Sequence, residues 1–138
     1  MTSSDRETSV ILIAERDQNV RKLQQVFLSK AGYDVAFSED GRDAFERAVL
    51  TRPALVITEI LLPKLDGLAL CRHLREDPRT RDIPVMVFSI LAAARRADEA
   101  GATAFLRKPL IDTTFVAAVQ HVIAAQPNGA VEEQWAAK

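Results

Sequence analysis

A chain of 138 residues with 18 basic residues, 19 acidic residues and one cysteine has room for one hydrophobic core and no internal disulfide. Its near-zero net charge gives no electrostatic footprint for nucleic acid or an anionic membrane, and no apolar run approaches membrane-spanning length. Met1 to Thr8 is polar and lacks the form of a signal peptide, so the expectation is a cytoplasmic protein with a flexible N-terminus over 1–8, a domain over 9–125 and a C-terminal tail over 126–138.

Val10-Ile11-Leu12-Ile13-Ala14 is a continuous apolar run, read as a strand buried on both faces, and it closes on charge at Glu15-Arg16-Asp17. Asp17 is placed to cap a helix whose apolar stripe is read at Val20, Leu23 and Phe27, flanked by Val26 and Leu28, up to a stop at Gly32. Tyr33-Asp34-Val35-Ala36-Phe37 alternates, as expected nearer a sheet edge. A shorter helix with Ala44, Phe45, Ala48 and Val49 on one side runs out at Thr51-Arg52-Pro53. Ala54 to Glu59 is a third strand that again ends in a carboxylate, followed by the turn Ile60-Leu61-Leu62-Pro63-Lys64-Leu65-Asp66-Gly67.

Leu68, Leu70, Cys71 and Leu74 mark the next helix, ended at Asp77-Pro78, and Ile83 to Ser89 is a fourth buried strand ending in a hydroxyl. The Ala-rich stretch between Leu91 and Gly101 predicts a short helix with few large apolar anchors, hence weakly packed. Ala102 to Arg107 reads as the fifth strand, closed by Lys108-Pro109, and Phe115, Val116, Val119, Val122 and Ile123 stripe a last helix broken by Pro127-Asn128-Gly129.

Strands alternating with helices at this spacing predict an α/β fold, a doubly wound parallel sheet covered on both faces. In the order 2-1-3-4-5 the switch point lies between the first and third strands, which puts Glu15, Arg16, Glu59, Ser89 and Lys108 around one crevice at the carboxyl ends of the strands. Asp17 is read as a helix cap, Cys71 as a small core residue, and His73 and His121 as rim or surface histidines. Arg95-Arg96 reads as a solvated helix face, and Trp135 in a polar tail is read as disordered or as docked on this or another molecule.

The acidic turn after the first strand, Glu59-Ile60-Leu61-Leu62-Pro63-Lys64-Leu65-Asp66-Gly67, Ser89 after a Pro-initiated strand, and Lys108-Pro109 together resemble the receiver domains of two-component response regulators, a flavodoxin-like (βα)5 fold like that of CheY. The resemblance runs from about Val10 to Ala125. It implies two acids after the first strand that help hold magnesium, a phosphoacceptor Asp ending the third strand, and a hydroxyl and a Lys that bind the phosphoryl oxygens. Ser89 and Lys108 match, and Phe105 falls in the region that relays the signal. Glu59 stands where the resemblance implies the Asp, and Arg16 where it implies one metal-holding acid.

A glutamate moves the reacting atom by one methylene, and a displacement of roughly 1 Å costs on the order of a hundredfold in rate. An arginine removes an oxygen ligand and adds charge where magnesium wants near-octahedral oxygen. No cofactor and no metal site is expected, magnesium binding being weak or absent; Glu15, Asp17 and Glu59 are the side chains that would have to supply one. Three readings of Glu59 stand side by side: an ion pair with Arg16 and Lys108, a drifted residue of a dead site, or a mimic of the phosphorylated aspartate.

The expected function is therefore that of an atypical, stand-alone pseudo-receiver, a non-enzyme acting by phosphorylation-independent contact with a histidine kinase or effector, or with a second copy of itself. The alternative is a working phosphoacceptor or a small crevice enzyme using Glu59 with Glu15, Ser89 and Lys108. No glycine-rich phosphate loop, nucleophile elbow or dinucleotide fingerprint supports an enzyme. The stretch after the last helix has no room for a helix-turn-helix domain. A fourth helix about one turn short of the receiver pattern predicts an altered partner face, with binding shifted to the fifth helix, the Phe105 region or the tail.

Overall fold

The computed structural model describes residues 10–126; the expectations for 1–8 and for the tail from Pro127 onward, Trp135 included, lie outside these. Strands β1 (Val10–Ala14), β2 (Asp34–Ser38), β3 (Leu55–Thr58), β4 (Val85–Ser89) and β5 (Ala104–Arg107) alternate with helices α1 (Gln18–Lys30), α2 (Gly41–Thr51), α3 (Gly67–Glu76), α4 (Ala94–Glu99) and α5 (Asp112–Ala125). All strand pairs are parallel and the order is β2-β1-β3-β4-β5. This is the flavodoxin-like, doubly wound arrangement expected from the sequence. No helix among the described residues is long and apolar enough to cross a membrane.

Alternation along the strands splits the core into two layers. Leu12, Ala14, Val56, Val85 and Val87 face α2, α3 and α4, where they meet Ala44, Ala48, Leu70, Cys71, Leu74 and Ala97. Ile11, Ile13, Leu55, Ile57, Met86 and Phe88 face α1 and α5, where they meet Leu28, Phe115, Val119 and Val122. Phe88 and Phe115 are fully buried with ring centroids 5.1 Å apart, each side chain worth about 1.5–3 kcal/mol of burial. The central strands are apolar on both sides because helices cover both sides.

Two local expectations are corrected, the α1 stripe and the start of β5, and the short, thinly anchored helix expected before β5 is found. On α1 the buried residues are Gln24 and Leu28, while Leu23 and Val26 are 48% and 47% exposed. The helix carries more apolar residues than one face can bury, and packing selects the stripe 20, 24, 27 and 28. β5 begins at Ala104 rather than Ala102, because Thr103 is spent as a brace: its N–H donates to Val85 O, and its hydroxyl accepts from Val85 N–H and Arg75. α4 spans six residues, starts without a side-chain cap and buries only small side chains, Ala97 within it and Ala93 and Ala100 at its ends.

Candidate functional site

Strands β1, β3, β4 and β5 each deliver one polar side chain to the carboxyl edge of the sheet. The backbone stays on the ladder through those residues: Glu15 N–H donates to Ser38 O at 3.0 Å, Glu59 N–H to Ala14 O at 3.0 Å, and Lys108 N–H to Ser89 O at 2.8 Å. Apolar neighbours anchor the strands below, so the side chains emerge at set heights. Glu15 is 2% exposed, Glu59 4% and Ser89 0%. Buried carboxylates without compensation would cost several kcal/mol each.

The compensation is dense. Lys108 Nζ lies 2.9 Å from Glu59 Oε1 and 2.9 Å from Glu15 Oε1, and 5.7 Å from the Phe88 ring centre. Glu59 Oε2 accepts from the Ser89 hydroxyl, from Ile60 N–H at 2.6 Å and from Leu61 N–H at 3.3 Å, while Oε1 accepts from Ile90 N–H at 3.4 Å. Burial pushes the Glu59 carboxyl up, but the Ser89 and Lys108 hydrogen bonds, the Lys108 charge and the Ile60 amide outweigh it and hold the group below 4.5. Burial likewise pulls Lys108 down, and the two glutamates outweigh it and hold the ammonium above 10.5.

The turn after β3 is braced from outside the crevice. The Thr58 hydroxyl donates to Glu59 O at 2.9 Å, and Asp66 caps α3 by accepting from Ala69 N–H at 2.8 Å. Gly67 follows because a Cβ there would sit 2.1 Å from Glu59 O, so only glycine lets α3 start against the strand end. Gly41 at the start of α2 is equally constrained, a Cβ falling 1.9 Å from Leu65 O. Lys64 takes φ of 70° within this turn and pairs with Asp40 at 3.7 Å.

Glu15, Glu59, Ser89 and Lys108 thus form one bonded cluster. Arg16 does not join it: of the two cations read as partners of Glu59, Lys108 makes the ion pair and Arg16 does not. Glu15 points inward and the next residue in the extended turn points out, so Arg16 is exposed and lines a separate slot with Leu61, Leu68 and Arg96. Asp17 caps α1, accepting from Asn19 N–H at 2.8 Å and Val20 N–H at 3.3 Å. Phe105 is half-buried on β5, against the core under α4, and borders a groove of about 730 Å³ between α4 and α5. Cys71 is buried, which pushes its thiol up, and His73 rests edge-on to Phe45. Among the described residues no three His, Cys, Asp or Glu side chains form a group that could hold a metal ion.

The sequence reading missed two kinds of contributor. Arg21 donates to Glu15 O at 2.7 Å and holds the first turn; its place one helical turn into α1 is the only local signal. The amides of Ile60, Leu61 and Ile90 carry no side-chain signature.

Residues 11–120 match the response regulator receiver domain family. The chain is 37% identical over 102 residues to the DNA-binding dual master transcriptional regulator RpaA of Synechocystis sp., covering 72% of this chain and 42% of that protein. It therefore spans less than half of that relative. It superposes with a TM-score of 0.80 and 34% identity on the signal receiver domain of a histidine kinase from Syntrophus aciditrophicus, over 87% of this chain and 93% of that one. A receiver domain of a Pseudomonas aeruginosa sensor kinase that holds magnesium in its active-site cleft gives 0.77 and 25%, over 84% of this chain and 98% of that one. A 2-1-3-4-5 sheet whose carboxyl edge gathers Glu15, Glu59, Ser89 and Lys108, matched over most of its length by that family, makes this chain a member of the response regulator receiver domains of two-component signal transduction.

Proposed function

We propose that this receiver is atypical, a pseudo-receiver that signals by protein contact without accepting a phosphoryl group. The observation that carries the reading is the state of the Glu59 carboxylate: both oxygens are already engaged, by Lys108, Ser89 and the amides of Ile60, Leu61 and Ile90. An acceptor carboxylate has to offer a free oxygen to the incoming phosphorus, and this one is held by donors on every side.

Magnesium does not fit the residues present. The two carboxylates that face each other, Glu15 and Glu59, share the Lys108 ammonium, so the neutralising charge is supplied by the chain. The Asp17 carboxylate is committed to the α1 cap, and Arg16 offers no oxygen where a metal-holding acid would stand. The module acts in the cytoplasm through a kinase, an effector or a second copy, and not as an enzyme.

Incubation with acetyl phosphate or a sensor kinase in magnesium tests this directly. No label should appear, and neither magnesium nor beryllofluoride should raise the melting temperature; a ligand at 100 times its dissociation constant would add about 2.7 kcal/mol. Arg16→Asp with Glu59→Asp should recover part of the response. Labelling of the wild type, or a clear magnesium shift, overturns the reading.

A second reading is favoured by the same contacts. Ser89 and Lys108, the residues that bind phosphoryl oxygens in receivers, both bond Glu59, so the carboxylate stands in for a phosphoryl group and holds the domain in one signalling state. Glu59→Gln separates the two. Loss of partner binding supports the built-in mimic, and unchanged binding supports a plain scaffold.

A further inference from the structure

Beside the crevice, and built by none of its bonded cluster, is a slot of about 390 Å³ walled by Leu61, Leu62, Leu68 and Leu91 and flanked by Arg16 and Arg96. Leu61 is 49% exposed, and neither guanidinium group has a hydrogen-bond or ion-pair partner among the described residues. The one carboxylate on the rim, Asp66, is turned to the α3 N-terminus, where Ala69 N–H bonds it. An apolar slot with two guanidinium groups that have no partner among the described residues calls for an occupant with apolar side chains next to carboxylates, because Arg pairs bidentately with carboxylate.

The chain itself carries such a segment. Val131-Glu132-Glu133-Gln134-Trp135 sets two glutamates between an aliphatic residue and the only tryptophan of the protein. We infer that this tail segment of one copy docks in the Arg16–Arg96 slot of a second copy, Glu132 and Glu133 pairing with the arginines and Trp135 covering Leu61.

Reach assigns the contact to a second copy rather than to the same chain. Gln126 closes α5 at the opposite edge of the sheet, beside Pro53, Ala54, Ile83 and Pro84, and α5 covers the other face from α3 and α4. The strands alone are about 16 Å tall at roughly 3.3 Å per residue. Six extended residues from Gln126 to Glu132 span at most about 21 Å, which is too little to round the sheet and reach the slot. None of the slot residues is Glu59, so the inference stands or falls separately from the reading of the crevice.

The test uses the full chain and charge reversal. Wild type should self-associate with rising concentration up to about 1 mM in sedimentation equilibrium, and the Trp135 emission should shift to the blue in step. Arg16→Glu with Arg96→Glu places glutamates in both slot and tail, and Glu132→Arg with Glu133→Arg places arginines in both. Each double variant should associate at least about tenfold more weakly, since like charges then face each other. An equimolar mixture of the two should recover association, because both of its contacts join opposite charges. Arg16 and Arg96 are exposed, and circular dichroism of each variant confirms the fold. A wild type that stays monomeric, a blue-shifted emission independent of concentration, an association indifferent to either reversal, or a mixture that fails to recover overturns the inference.

Discussion

Lys108 Nζ and Glu59 Oε1 stand 2.9 Å apart, so the end of β5 is tied through side chains to the end of β3 across the intervening strand β4. The tie joins the two residues most opposed in charge at the carboxyl edge, and Glu15 shares it from β1.

That pairing sets a pH dependence. Glu59 is held below 4.5 and Lys108 above 10.5. The stabilisation from Glu59 is complete above 4.5 and lost as pH falls through its lowered value, and that from Lys108 is complete below 10.5 and lost as pH rises through its raised value. Lys108→Met is predicted to cost about 3–5 kcal/mol at neutral pH, as for one partner removed from a buried pair. Two carboxylates left facing each other take up a proton more readily, so the variant should gain stability between about pH 7.5 and about pH 5, where wild type stays flat. Urea unfolding at the two values reads the sign, and parallel behaviour of variant and wild type would contradict the assignment.

Gly67→Ala is predicted to destabilise by about 1–3 kcal/mol, the range for forcing an atom into occupied space. The obstacle is the Glu59 carbonyl, 2.1 Å from the new Cβ and part of the backbone. It cannot rotate away as a side chain would. Chemical shifts of the Ile60 and Leu61 amides should move with it, since both bond the Glu59 carboxylate. Unmoved shifts would mean that the turn and the α3 start are not coupled.

Gln24 is 1% exposed and its amide oxygen has no hydrogen-bond partner among the described residues. An unsatisfied buried polar atom costs about 1–3 kcal/mol, and an apolar residue of similar shape avoids that cost. Gln24→Leu should therefore raise stability by about 1 kcal/mol and the melting temperature by roughly 4 °C. A lower melting temperature would show that the amide is satisfied in solution.

α4 should open more readily than the rest of the fold. Its six residues begin without a side-chain cap, and the side chains buried along it and at its ends are the methyl groups of Ala93, Ala97 and Ala100. Helices this short depend on packing, and a methyl group supplies little. Native-state hydrogen exchange at Ala97 to Gly101 should be faster by at least about a hundredfold than at Ile13 or Ile57, a gap of roughly 2.7 kcal/mol in opening free energy. Equal protection would show that α4 opens only with global unfolding.

What the sequence by itself determined is the layout. Apolar runs that each close on a polar residue, at Glu15, Glu59, Ser89 and Lys108, mark buried parallel strands, and helical stretches between them leave one topology and one functional edge. That signal is local, because burial on both faces imposes it on every residue of a strand. Three matters were decided only by the tertiary structure. Which stripe of α1 is buried depends on the helix's rotation against the sheet and α5, which placed Gln24 inside and left Leu23 half-exposed. Which cation neutralises Glu59 depends on direction as well as proximity in the chain: Arg16 follows an inward Glu15 and so points out, whereas Lys108 arrives from β5 and reaches both carboxylates. The requirement for glycine at Gly41 comes from the carbonyl of Leu65, and only the packed turn puts that atom where a Cβ would go. Rotation, direction and steric contact are relations between segments distant in sequence, and no window along the chain contains them.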